Sequence, residues 1–169
     1  NHPDYDGNSD GSADSGQKNV TSLPTHNNEG YVTLVSADGT MLADVDAVEN
    51  PSPSDSPADQ EFPVGFFEFT VYGVEPGGGT TVTLILLEGM TIETYYKFGP
   101  TPDNTTPHWY EFSYDSQTQT GAVVNGNTIV LHLVDGQRGD HDITVNGIIV
   151  EPGSPAVEKR EDCENDTDE

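Results

Sequence analysis

The residues best placed to do chemistry stand near the start of the chain, in Asp6-Gly7-Asn8-Ser9-Asp10-Gly11. Side-chain oxygens recur at every second position and a glycine follows where the backbone must turn sharply, the pattern of a loop that wraps a calcium ion. Asp14 falls at the ninth position of such a loop, another usual ligand place, and Asp4 adds a carboxylate ahead of it. Calcium suits such a set because it takes roughly six to eight hard oxygen ligands. The twelfth position holds Gln17 instead of a bidentate Glu. The reading is therefore a short Asp-rich calcium loop, with a solvated acidic linker as the alternative.

A second cluster lies late in the chain, Asp135-Gly136-Gln137-Arg138-Gly139-Asp140-His141-Asp142. Asp135, Asp140 and Asp142 could hold another cation. They could equally build a turn in which Arg138 neutralises one of them, and the turn is the favoured reading. The candidate metal ligands are thus Asp4, Asp6, Asn8, Asp10 and Asp14 at the front and Asp135, Asp140 and Asp142 at the back, with Ca²⁺ as the only cofactor expected.

The remaining chemistry-bearing residues point away from an enzyme. The chain lacks H-E-x-x-H and G-x-x-x-x-G-K-[ST], and its G-x-S-x-G match, Gly7-Asn8-Ser9-Asp10-Gly11, lies inside the Asp-rich motif with no helix after it and so makes no nucleophile elbow; serine-hydrolase, zinc-protease and P-loop readings have no support. His2, His26, His108, His132 and His141 have no ligand-type spacing. Gly77-Gly78-Gly79 has no basic residue nearby and precedes a strand, so it reads as a turn and not a phosphate cradle. Glu68 and Glu111 could in principle pair for glycoside hydrolysis, but among so many acids the pairing carries no specificity. Cys163 is the only cysteine and sits among acidic residues that disfavour a thiolate, so neither an internal disulfide nor a catalytic thiol is expected.

Thirty Asp and Glu against five Lys and Arg give the chain a formal charge of −25. Nucleic acid and anionic membranes would repel such a surface. No apolar run approaches the ~20 residues of a membrane span. No signal peptide opens the chain, which starts at Asn1 just ahead of the Asp-rich motif, so a product cut from a longer precursor is expected.

The elements that must position these groups divide by composition into three zones. Residues 1–29 form a calcium-loop-like segment and linker, residues 30–152 carry nearly all the aromatics and form the folded domain, and residues 153–169 form an acidic tail. In the middle zone apolar residues alternate with period two, the mark of half-buried strands. The clearest are Tyr31-Val32-Thr33-Leu34-Val35, residues 66–72, 81–86 and 128–133; residues 41–48, 92–98, 108–114 and 143–150 are weaker. Asn125-Gly126 is the strongest hairpin signal. Strands and turns at this spacing predict an all-β fold, an antiparallel β-sandwich of about eight strands with polar terminal extensions. In the aromatic runs Tyr95-Tyr96-Lys97-Phe98 and residues 108–114, one face of each strand should pack inward, so Trp109 is read as core ahead of a sugar platform.

The stretch from Phe62 to Pro155 resembles the choice-of-anchor U domain of bacterial surface proteins. The resemblance is carried by Phe62-Pro63-Val64-Gly65-Phe66-Phe67-Glu68-Phe69-Thr70-Val71, by Tyr95-Tyr96-Lys97-Phe98-Gly99-Pro100, by His108-Trp109-Tyr110-Glu111-Phe112, and by Leu133-Val134-Asp135-Gly136-Gln137-Arg138-Gly139-Asp140 through Asn146-Gly147-Ile148-Ile149-Val150-Glu151-Pro152-Gly153. It implies a secreted or cell-surface β-rich domain that precedes a C-terminal sorting signal, often downstream of Asp-rich calcium repeats. The front motif is similar to thrombospondin type 3 calcium loops. The family brings no catalytic residues. The chain departs from it where Glu158 to Glu169 is acidic and carries no hydrophobic anchor; either the anchor is removed on maturation or the protein is retained in another way.

Polar ends of this kind need ties, and ions or neighbouring subunits are the obvious ones. A terminal segment added to the next subunit's sheet edge would build an open filament. The expectation is an extracellular, calcium-stabilised structural surface protein that self-associates through inter-subunit β-contacts. A glycan-binding adhesive module is the alternative, and a secreted hydrolase the least supported. Sequons at Asn19, Asn104 and Asn165 permit glycosylation of an exterior surface.

Overall fold

The computed structural model describes residues 4–160; Cys163, Asn165 and most of the acidic tail lie outside the described residues. The chain forms eleven strands and no α-helix among these residues: β1 Val20–Pro24, β2 Tyr31–Ser36, β3 Met41–Val48, β4 Gln60–Glu61, β5 Phe66–Tyr72, β6 Gly79–Ile85, β7 Thr94–Thr101, β8 Asn104–Glu111, β9 Gly121–Asn125, β10 Thr128–Val134 and β11 Ile148–Glu158. They build two antiparallel sheets, one ordered β1-β2-β6-β10-β9, the other β3-β5-β11-β7-β8 with β4 on β11. The expected β-sandwich is therefore present, with more strands than the sequence announces.

Alternation explains the two layers. Val32, Leu34, Val82, Leu84, Ile129 and Leu131 project from the first sheet, and Phe67, Phe69, Val71, Tyr95 and Ile149 meet them from the second, all essentially buried. Burying such side chains is the main favourable term in folding. The sheets reach past both expected borders of the folded zone. β1 lies inside residues 1–29 and pairs β2 from Val20↔Val35 to Pro24↔Tyr31. β11 runs on to Glu158 and pairs β5 over Ile148–Gly153, then β7 over Gly153–Ala156. Pro152 therefore falls outside the β7 ladder and Pro155 outside the β5 ladder, which is how a strand inside the sheet accommodates two prolines. The β9–β10 hairpin turns on Gly126 and Asn127, one place later than the Asn125-Gly126 signal, with Gly126 at φ 63° taking the first turn position.

Candidate functional site

The front loop is built onto the β1–β2 hairpin by Asp14. Its carboxylate accepts the Gly7 N–H at 3.0 Å and the Ser22 hydroxyl at 2.5 Å, and its N–H donates to the Tyr5 carbonyl at 2.8 Å. Gly7 must be glycine because a Cβ there would stand 2.2 Å from Thr33 Oγ1. Asp14 is itself buried, so it faces the sheet and not the other acids of the motif.

Asp6, Asn8 and Asp10 stay on the outer side and order one another. The Asp10 N–H donates to Asp6 Oδ1 at 3.1 Å and to Asn8 Oδ1 at 3.4 Å, and the Gly11 N–H to Asp6 Oδ2 at 2.9 Å. Asp10 accepts the Ser12 N–H at 2.8 Å and the Asn8 amide at 3.0 Å, and these bonds hold its carboxyl below the usual range. Gln17, where a bidentate ligand would stand, turns its Nε2 to Asp10 at 3.0 Å and closes the loop as a donor. Asp6, Asn8 and Asp10 carry oxygen donors of the kind calcium takes, while both carboxylate oxygens of Asp14 are engaged with Gly7 and Ser22.

The back cluster is used differently. Asp135, 1% exposed, accepts the N–H groups of Gly77 at 2.8 Å, Asn146 at 3.0 Å and Gly147 at 2.9 Å on a single oxygen, Oδ2. Asp140 takes the Gly136 N–H at 2.9 Å and the Val150 N–H at 3.2 Å, while Asp142 takes the Thr144 N–H at 2.8 Å and the Asn146 amide at 3.0 Å. Each carboxylate thus pins a different part of the connection between β10 and β11. Among the described residues no three His, Cys, Asp or Glu side chains gather where they could hold a metal ion. The hydrogen bonds of Asp135, Asp140 and Asp142 here are those of the turn. Nor does Arg138 neutralise an Asp: its guanidinium donates to the carbonyls of Ser113 at 2.6 Å and Thr120 at 3.0 Å and lies 4.9 Å from the Phe112 ring centroid.

Beneath this connection lies a charged pair that the sequence reading passed over. Lys97 on β7 and Glu151 on β11 are 1% and 0% exposed. The Lys97 ammonium position contacts Glu151 Oε2 and donates to the Gly139 carbonyl at 2.8 Å, while the Tyr95 hydroxyl donates to Glu151 Oε1 at 3.0 Å. Burial pushes the Lys97 amine well below its ordinary range, Asp140 opposing and Arg138 adding to the shift. Burial likewise pushes the Tyr95 hydroxyl up, so it remains a donor at neutral pH. A signal was available: Lys97 alternates with Tyr95 and Gly99, and Glu151 with Ile149 and Gly153, which places both charges in inward register.

Trp109 lies on the outer face of the second sheet and is only partly buried. Its ring stacks on Phe62 at 5.8 Å, and its indole N–H donates to the Ser52 carbonyl at 3.2 Å. The expectation of a core tryptophan is corrected: β8 is an edge strand whose outer face is covered by a loop and not by the opposite sheet. Glu68 and Glu111 are both exposed. A cleft of about 120 Å³ opens between Thr25, Tyr31, Val64, Leu87 and Met90, and more open ones of about 380 Å³ beside Glu61 and Glu93 and about 390 Å³ beside Tyr114 and His132. No helix among the described residues is long and apolar enough to cross a membrane.

No family model, no curated protein and no solved structure matches the chain.

Proposed function

We propose that the protein is an extracellular structural surface module, a β-sandwich stabilised by calcium at its front loop and assembled with further copies on a cell surface. The observation that carries this reading is the seating of the front loop: Asp14 ties it to the sheet, so Asp6, Asn8 and Asp10 are presented together on the outside. A cation there would relieve part of the repulsion that a net charge of −25 imposes. The resemblance to choice-of-anchor U domains supports the same setting. Two edges narrow the way copies could join. β3 is interrupted by a bulge between Ala43 and Asp46 and β8 carries Pro107, and both features limit strand addition.

Calcium at about a hundred times its dissociation constant should stabilise the fold by roughly 2.7 kcal/mol, a rise in Tm of about 5–10 °C. Electron microscopy with calcium and with a chelator tests the assembly. Ordered polymers that disperse on chelation are expected; particles that stay monomeric in both conditions would refute it.

A glycan-binding reading has one observation of its own. Tyr5 and Tyr31, 43% and 49% exposed, stand with ring centroids 6.5 Å apart beside the front loop, a surface on which a sugar face could stack. Binding to a glycan array that Tyr31→Ala abolishes would favour it, and a blank array would remove it.

A further inference from the structure

We propose that the Lys97 amine and the Glu151 carboxyl condense inside the folded domain to an amide that joins β7 to β11 covalently. The inference stands independently of calcium and of assembly, because it rests on groups sealed between the sheets.

The register brings the two together. Lys97 lies opposite Gly153 in the β7–β11 ladder, and Glu151 is two residues before Gly153, on the same inward face. Gly153 makes the room: a Cβ there would stand 2.4 Å from Tyr95 Cε1 and 2.7 Å from Glu151 Oε1. Phe112 closes the other side, with its ring centroid 5.0 Å from Lys97 Nζ. Water is therefore excluded from a pair already in contact.

An ion pair in such surroundings is costly, since two charges have left water for one contact and few further hydrogen bonds. Passing the ammonium proton to the carboxylate leaves an amine and a carboxylic acid, both neutral, and burial favours those forms. These are the reactants for amide formation, held as an intramolecular pair with the orientation already set.

The step balances without any co-reactant. The Nζ lone pair attacks Glu151 Cδ, the Nζ–Cδ bond forms, and negative charge develops on Oε1, where the Tyr95 hydroxyl already donates a hydrogen bond at 3.0 Å. The Cδ–Oε2 bond then breaks, and the departing hydroxyl takes a proton from nitrogen and leaves as one water. Nothing is oxidised or reduced. The product is uncharged, and the remaining amide N–H has the Gly139 carbonyl as its acceptor.

Intact-mass measurement of the purified, folded wild-type chain tests the proposal without any variant having to fold. The expected result is a mass below that of the sequence by one water, with a peptide map in which the peptide carrying Lys97 is tied to the peptide carrying Glu151. Lys97→Arg is expected to keep the full sequence mass. A folded wild-type chain at the full sequence mass would overturn the proposal, and so would a water loss that maps to Asp140 or to any other residue than the Lys97–Glu151 pair.

Discussion

The two Asp-rich loops use the same side chain in opposite ways. In the front loop Asp6 and Asp10 lie outside and accept N–H groups from their own segment, at sequence separations of two to five residues. In the back loop Asp135 is buried and its oxygen collects N–H groups from Gly77, fifty-eight residues away, and from Asn146 and Gly147. The first arrangement organises a surface; the second fastens one connection across the sandwich. Carboxylate spacing is similar in the two, so spacing alone does not set the role. What decides is whether the acceptor is reached by local or by distant donors, and how much water remains around it.

That difference can be broken by mutation. Asp135→Ala would leave three N–H groups without their acceptor, at about 1–3 kcal/mol each where burial is complete. A loss of roughly 3–5 kcal/mol is expected, which lowers Tm by about 10 °C or more in a domain of this size. Asp135→Asn, which keeps one oxygen in place, should lose less. A calorimetric Tm within a degree or two of wild type for the alanine variant would contradict the fastening role.

Asp14 is the intermediate case, a front-loop residue with the burial of a back-loop one. Asp14→Ala is expected to destabilise by about 1–3 kcal/mol through the orphaned Gly7 N–H and the lost bond from the Ser22 hydroxyl, which keeps Thr33 as a partner, and to loosen the loop toward proteases. Asp10→Asn should change calcium-free stability by no more than about 0.5 kcal/mol, as exposed substitutions do. It should nevertheless abolish most of the calcium-dependent rise in Tm. Equal responses to calcium in Asp10→Asn and wild type would separate the front loop from cation binding altogether.

The layers were legible from period-two alternation, because residues such as Phe67, Phe69 and Val71 report one buried face directly. β1 was not, since Val20-Thr21-Ser22-Leu23-Pro24 is short and only two of its residues are large and apolar; its place comes from pairing with β2 and from Asp14 below it. The front loop was legible as a motif, but not Asp14's inward turn, which depends on Ser22 and Thr33 from neighbouring strands. Lys97 and Glu151 lie fifty-four residues apart, and only the β7–β11 pairing makes them neighbours. Local pattern reveals faces; partners across the sheet come from topology.

The smallest effect expected separates the loops by pH. His141 sits in the back loop against Gly99, whose absent Cβ would lie 2.5 Å from its Nδ1. Burial lowers its ring below the ordinary value of 6.5, Lys97 lowers it further, and Asp142 opposes both. Because the folded value is the lower one, the unfolded chain takes up more proton once pH drops below about 6.5. His141 therefore contributes stability above that point, which is lost as pH falls and stops falling once the folded ring protonates as well. Melting curves at about pH 7.5 and about pH 5.5 should show a smaller acid-side loss for His141→Asn than for wild type. The front loop, whose Asp10 is held low, should give no such step in this window. Loss of the charge at Lys97, by proton transfer to Glu151 or by the amide, would bring His141 part of the way back toward 6.5, so an NMR titration of this ring in wild type and in Lys97→Arg reads the charge state of the buried pair from outside, and the intact mass tells the two neutral forms apart. In the arginine variant the permanent cation should leave His141 lower than in the wild-type chain, and equal values would mean that Lys97 still carries its charge.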